Sequence, residues 1–284
     1  MVTRRIAGIA VMALGLGVTP ALAAPVKPPA RIISLSPTAT EDLFAVGAGK
    51  HVVAVDNQSN YPANAPHSKL SGYTPNAEAI AAYRPDLVIV SFDANHVVAA
   101  LGKLNIPVLV EPTAQTLQEA YAQIVEIGAR TGHRAAAARV VSGMKTKIAA
   151  IVAATPKLRE PITVYHELEP DLYSVTSNTF IGRIYTMLGL KNIADAADRS
   201  NSGYPQLSAE YVVGANPRLV ILADTICCAQ TAAKLKERAG WGTVAAVKTG
   251  DVVAISDDIA SRWGPRVVDF MRAVAAKVQR IAQR

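Results

Sequence analysis

RAAAARVVSGMKTKIAAIVAA, residues Arg134–Ala154, is the stretch whose reading decides the fold. It is rich in alanine, the strongest helix former, and contains no proline. Val140, Val141, Met144, Ile148, Ile151 and Val152 recur at three- and four-residue steps, so one helix face is apolar. Gly132 stands before the run and Thr155-Pro156 stops it. A helix of 21 residues is roughly 30 Å long, enough to span a small domain.

The segments on either side of this rod resemble each other. Asn76-Ala-Glu78-Ala-Ile-Ala-Ala-Tyr-Arg-Pro85-Asp-Leu87-Val88-Ile89-Val90 matches Ser208-Ala-Glu210-Tyr-Val-Val-Gly-Ala-Asn-Pro217-Arg-Leu219-Val220-Ile221-Leu222. At one offset, the 132 residues from Glu78 to Glu210, the Ala, Glu, Pro, Leu, Val and Ile positions coincide. Tyr61-Pro62 and Tyr204-Pro205 precede the two segments at different distances. An ordered set of six matches points to duplication: two related α/β lobes joined by a stiff helix.

The chain begins with the marks of a targeting segment. Arg4 and Arg5 form a basic region, Ile6 to Val18 an apolar one, and Ala21-Leu22-Ala23 a small-x-small cleavage site. Thirteen apolar residues are too few to cross a bilayer. A mature chain starting near Ala24 and exported to a bacterial periplasm is expected. Losing residues 1–23 lowers the net charge from +7 to +5, with two arginines and no acid removed. No Lys/Arg cluster with interleaved aromatics speaks for nucleic acid. Pro25-Val-Lys-Pro-Pro29 reads as an extended spacer. The expected layout is a signal peptide over 1–23, an N-terminal lobe over 24–132, the connecting helix over 133–155 and a C-terminal lobe over 156–284.

Short apolar runs at Arg31–Leu35, Val52–Val55, Leu87–Val90 and Val108–Val110 predict strands in the first lobe. Ser36-Pro37-Thr38 reads as a loop before a helix from Thr40 to Val46, with further helices near 76–83, 94–104 and 115–129. The second lobe predicts strands at Ile162–Tyr165, Leu172–Val175, Leu219–Leu222 and Val252–Ile255, and a helix over Thr179–Leu188. A last helix from Pro265 to Ala282 buries Val267, Val268, Met271, Val274, Ala275 and Val278. This alternation predicts two parallel sheets in an α/β fold. Ligands of such sheets sit beyond the carboxyl ends of the strands. Here those ends are Ser36-Pro37-Thr38, Asp56-Asn57-Gln58, Ser91-Phe92-Asp93, His166-Glu167, Asp224-Thr225 and Ser256-Asp257-Asp258, with Pro37 a candidate contact.

The order of these pieces resembles one family. Arg31-Ile-Ile-Ser-Leu-Ser-Pro37, Tyr61-Pro62, the Glu78 and Glu210 segments and Trp263-Gly-Pro-Arg266 stand as they do in the periplasmic substrate-binding proteins of ABC importers for cobalamin and iron-siderophores. The resemblance implies two Rossmann-like lobes bridged by one helix, with little movement on binding. It implies that the protein is a monomer that captures a metal chelate and delivers it to the transmembrane subunits of an ABC importer. It implies that Glu78 and Glu210 meet arginines of that transporter. Singly, each glutamate reads as a first-turn acid favoured by the positive end of its helix; the paired position favours two-point docking. By the same resemblance Tyr73, Phe92, Tyr173, Tyr204 and Asp257 belong to the pocket, with Arg262 and Trp263 nearby, and two of those five are expected to be ordinary core. The chain departs from the cobalamin-type pattern in having only Trp241 and Trp263, with Ser91 and Tyr204 where larger rings would be expected.

Two constellations carry further chemistry. His166-Glu167-Leu-Glu169-Pro-Asp171 combines an imidazole with carboxylates that could bind a metal, although His166 and Glu167 cannot share a face of one strand. A solvated acidic loop is the alternative. Cys227-Cys228 are the only cysteines. In an oxidising compartment they can close a vicinal disulfide, a strained small ring, and they can otherwise bind metal or be structural thiols. Their place past Asp224-Thr225 makes them candidate pocket lining. The alternatives to a chelate receptor are a receptor for haem or for a free metal ion held by His96, His166, Glu167 and Asp257, and an enzyme using Cys227 and His166. No phosphate-cradling loop, G-x-S-x-G or H-E-x-x-H supports catalysis, and no cofactor is implied.

Overall fold

The computed structural model describes residues 27–284, and the expected signal peptide and its cleavage point lie outside them. Arg134–Ala154 is one uninterrupted α-helix. Ala137, Val141, Met144 and Ile148 on it are buried, and Val140, Ile151 and Val152 pack half-buried beside them. Each large side chain buried this way contributes about 1.5–3 kcal/mol. At its start, Gly132 takes the positive φ of 77° that ends the preceding helix, Leu117–Arg130. That helix lies so close that a Cβ on Gly128 would collide with Ala137. At the far end Thr155 donates its hydroxyl to the Ile151 carbonyl at 2.8 Å, and Pro156 cannot continue the ladder.

Two four-stranded parallel sheets flank the rod. The first contains β1 (Ile32–Leu35), β2 (Val52–Val55), β3 (Leu87–Val90) and β4 (Val108–Val110) in the order β2-β1-β3-β4. The second contains β5 (Thr163–Glu167), β6 (Lys191–Asn192), β7 (Leu219–Leu222) and β8 (Val252–Ala254) in the order β6-β5-β7-β8. The spatial order is the same, and every pairing is parallel. β3 and β7 are buried at every position, which explains their unbroken apolar sequence.

The duplicated segments fold alike. Asn76 and Ser208 cap the helices Ala77–Ala81 and Ala209–Ala215, their side chains accepting the amides of Ala79 at 2.8 Å and Tyr211 at 3.1 Å. Each chain then turns through a left-handed residue, Arg84 at φ 49° and Asn216 at φ 46°, both directly before proline. β3 and β7 follow.

Several sequence expectations need correction. Pro37 is not in a loop: Ser36 accepts the Ala39 amide at 3.3 Å and caps a helix Pro37–Ala45, with Pro37 in its first turn. Leu172–Val175 is not a strand of the sheet; only Tyr173 bridges, antiparallel, to Gln206. The edge strand is instead Lys191–Asn192, too short and too polar to show in the sequence pattern. The helix expected over 94–104 is a 3-10 turn, Ala94–His96, followed by Val97–Lys103, because Asn95 and His96 both have positive φ. The last helix runs over Val267–Ala282, with all six anticipated face residues buried and Phe270 and Ile281 beside them.

Candidate functional site

The carboxyl ends of the two sheets face each other. Past β2, Gln58 and Asn60 reach the segment that follows β8. Arg262 donates to Glu41 Oε1, Asn60 Oδ1 and the Gln58 carbonyl, each at 3.0 Å, and pairs with Asp258. Asn60 donates to Asp258 at 2.7 Å. Arg266 grips Glu41 from the other side and stacks its guanidinium 4.1 Å from the Tyr61 ring centre. Trp263 donates its indole N–H to Gln123 at 2.7 Å. The rod is therefore not the only tie between the sheets. Arg262, expected near the ligand, is 8 % exposed and saturated with partners, so its work is to join the lobes. Trp263 is half-buried at the same seam. On another side Gln115 past β4 and Asn178, Thr179 and Tyr204 of the second lobe line a common cavity of about 400 Å³.

Aromatic side chains stand free on both lobes. Gly72 lets the chain pass against the end of β1, where a Cβ would meet the Leu35 carbonyl at 2.6 Å and the Asp56 carboxylate at 2.9 Å. This approach sets Tyr73 at the strand exits, with its ring 6.0 Å from that of Phe92, which follows β3. In the second lobe, residues 172–176 run antiparallel to 203–207 through bonds from Leu207 to Leu172, Ser174 to Pro205 and Thr176 to Gly203, at 2.9–3.0 Å. The ribbon carries Tyr173 and Tyr204 outward. Tyr73, Phe92, Tyr173 and Tyr204 are 70, 46, 37 and 45 % exposed, so none of the four is ordinary core. Four open rings at strand exits suit a ligand with apolar faces.

Cys227 and Cys228 are disulfide-bonded to each other. Asp257 does not point at the cleft as a free acid: its carboxylate accepts the Ile226 amide at 2.9 Å and the Cys227 amide at 2.7 Å, holding the disulfide loop.

His166 and Glu167 lie on opposite faces of β5, and neither is solvated. His166 is fully buried, with Nδ1 on the Tyr185 hydroxyl and its ring edge-on to Phe270. Burial pushes its pKa down to about 3, so it is neutral. A fully buried imidazole cannot reach a ligand, and the solvated acidic loop is confined to Glu169-Pro170-Asp171, which are exposed past the strand. Glu167 is also fully buried, forming a bidentate pair with Arg238 at 2.6 Å and accepting the Tyr165 hydroxyl at 3.1 Å. Asp224, at the exit of β7, is buried with neither carboxylate oxygen hydrogen-bonded. Burial first, and Glu167 second, raise its pKa to about 7. With His166 and Glu167 on opposite faces and Asp257 committed to amides, the anticipated free-ion ligand set does not assemble. Among the described residues no group of three or more His, Cys, Asp or Glu side chains is placed to hold a metal ion.

Glu78 and Glu210 are exposed, each in the first turn of its matched helix. A cavity of about 1230 Å³ was not anticipated: it runs beside the rod between Tyr121, Lys145, Ile148, Phe180, Arg183 and Met187. Sequence reading also missed Ile226, 68 % exposed beside the cysteines. Its only signal was that neighbourhood.

Matched sheets joined by one long helix, with their strand exits opposed across a seam, define a bilobal binding protein. The chain belongs to the periplasmic binding protein family, whose description matches residues 32–259. It is 30 % identical over 261 residues to an uncharacterised ABC transporter substrate-binding lipoprotein of Bacillus subtilis, covering 89 % of this chain and 81 % of that one. It is 32 % identical over 257 residues to a cobalamin-binding protein of Halobacterium salinarum, covering 87 % and 69 % respectively. Among solved structures, a possible iron-binding periplasmic protein of Staphylococcus epidermidis superposes with a TM-score of 0.75 at 26 % identity, covering 89 % of this chain and 99 % of that one. Among the described residues no helix is long and apolar enough to cross a membrane.

Proposed function

We propose that this protein is a periplasmic receptor that captures a metal chelate, cobalamin-like or an iron-siderophore, between its lobes and delivers it to an ABC importer. The carrying observation is the pairing: two sheets of one strand order, in each of which a short capped helix before the matched strand, β3 or β7, exposes a glutamate in its first turn. Two exposed acids at equivalent places give a partner a two-point register, and charge pairs of this kind set orientation and encounter rate. The relatives named for substrate and cobalamin binding support the reading, and they are binding proteins, not enzymes. The aromatic strand exits favour a chelate with apolar faces over a bare ion.

The working division is a signal peptide ending near Ala23, a lobe over 24–132, the connecting helix over 133–155 and a lobe over 156–284. The protein acts as a monomer. The test is co-elution in gel filtration with cyanocobalamin, haemin, a ferric hydroxamate or free iron and zinc salts, read by absorbance and metal analysis. One chelate per chain at the monomer volume is the expected result. A single bare ion per chain would return the free-ion receptor, and no retained ligand would reject a receptor for these classes.

A further inference from the structure

The loop leaving β7 is braced far more heavily than its exposure requires. Asp257 accepts two of its amides. The Thr225 hydroxyl donates to the Ile255 carbonyl at 2.9 Å. Lys234 donates to the Ala229 carbonyl at 2.9 Å. Gln230 donates to the Cys228 carbonyl at 3.3 Å while accepting Arg238 at 2.9 Å, and Arg238 is itself anchored on buried Glu167. The groups held up by this bracket are apolar. Ile226 is 68 % exposed, and the disulfide ring sits beside it with Cys227 on the surface.

Ordering a loop costs about 1–2 kcal/mol per residue. In the free protein that cost yields only an exposed aliphatic side chain and a disulfide whose Cys227 half is on the surface and whose Cys228 half is partly buried. The arrangement becomes favourable when something covers them. The location is a strand exit, and its counterpart under the duplication is informative. β3 and β7 are equivalent strands, and the chain after β3 displays Phe92 beside Tyr73. The chain after β7 displays Ile226 and the disulfide instead. Next to β7, β5 leads into Tyr173, whose carbonyl accepts the Leu168 amide at 2.9 Å.

We infer that the Ile226–Cys227–Cys228 tip is the second lobe's contact plate for the ligand, the counterpart of Phe92 on the first, and that it selects a chelate with a broad, flat, weakly polar face. This rests on the receptor reading and narrows it to a planar macrocycle over a compact siderophore. The sulfurs are polarisable and carry no O–H or N–H to desolvate. The ring has no rotamers to lose on contact, so little entropy opposes binding.

Calorimetry separates the two levels. The probes are cyanocobalamin and haemin as planar macrocycles and ferrichrome as a compact siderophore. The oxidised wild type is compared with Ile226→Ala and with the double variant Cys227→Ser, Cys228→Ser. Ile226 is exposed, so its truncation leaves the fold intact, and thermal melting checks both variants. The expected result is macrocycle binding by the wild type that weakens about tenfold or more in each variant, through faster dissociation. Macrocycle binding that stays within about twofold in Ile226→Ala overturns the plate while leaving the receptor standing. Binding of ferrichrome alone overturns the selectivity while leaving the receptor standing. Binding of none of the three overturns both.

Discussion

The N-terminal sheet and the C-terminal sheet share strand order, capped helix, left-handed turn and exposed glutamate, yet they furnish their strand exits differently. The first presents a ring pair, Tyr73 and Phe92, and sends Gln58 and Asn60 to the other lobe. The second presents Tyr173, Tyr204 and a disulfide tip above a buried charged cluster of Glu167, Arg238 and Asp224. The shared parts are those a sheet needs to form and the exposed glutamates proposed above to meet a partner. The unshared parts join the lobes or are those proposed above to meet cargo, and cargo is not symmetrical. Duplication thus supplied a frame, and divergence is concentrated at the carboxyl ends.

Breaking the shared surface is expected to have the largest effect. Glu78→Ala together with Glu210→Ala should abolish ligand uptake in cells, with the dissociation constant of the purified protein unchanged. Each single variant should retain part of the uptake, and a parallel loss of affinity would argue against docking. Next comes the tie between the lobes. Glu41→Ala leaves Arg262 and Arg266 without their shared, buried carboxylate, and losing one partner of a buried pair costs about 3–5 kcal/mol. Chemical denaturation should show that loss. The corresponding cut at an exposed pair, Glu126→Ala opposite Arg130, should change stability by less than about 1 kcal/mol.

A smaller, pH-dependent effect tests the buried acid of the second lobe. The Asp224 pKa is raised from 3.8 to about 7. Between those values the folded protein holds a proton that the unfolded chain has lost. Its contribution to stability is therefore complete below 3.8 and is lost as pH rises through about 7. Asp224→Asn should melt above the wild type at pH 8, by roughly 2–4 °C per kcal/mol recovered, with a smaller gap at pH 5 that closes only below the unfolded value of 3.8. An equal offset at both pH values would remove titration as the cause. Asp42, a buried acid in the helix after β1 of the first lobe, is also raised by burial and by Glu41 and Glu111, so Asp42→Asn should share the sign. The smallest effect concerns the matched turns. Asn tolerates positive φ better than Arg, so Arg84→Asn should add about 0.5–1 kcal/mol, and Asn216→Arg should remove more than that, because Asn216 Oδ1 also accepts the Ala245 amide at 2.7 Å, both read by denaturant midpoint.

Much of the frame was legible from local signals. Helical periodicity marked Arg134–Ala154 and the face of the last helix, and continuous apolar runs marked β3 and β7. The repeated Glu and Pro positions marked the duplication before any coordinates. The candidate site was legible in outline: strand exits, four tyrosine and phenylalanine rings and a cysteine pair. Its detail was not. Nothing near His166 announces that Tyr185 and Phe270 enclose it, or that Asp257 is spent on the amides of residues 226 and 227.

By itself, then, the amino-acid order determined the long helices and the continuously apolar strands, that two segments are copies, and which residues are chemically equipped to meet a ligand. Those properties follow from propensity and spacing, which act over a few residues. Tertiary structure alone decided which equipped residues are available. Arg262 finds Glu41 across 221 residues and leaves the site. His166 sinks into the core, while Ile226 rises to the surface. Burial and ion pairing depend on where distant segments meet, and no local pattern encodes that meeting.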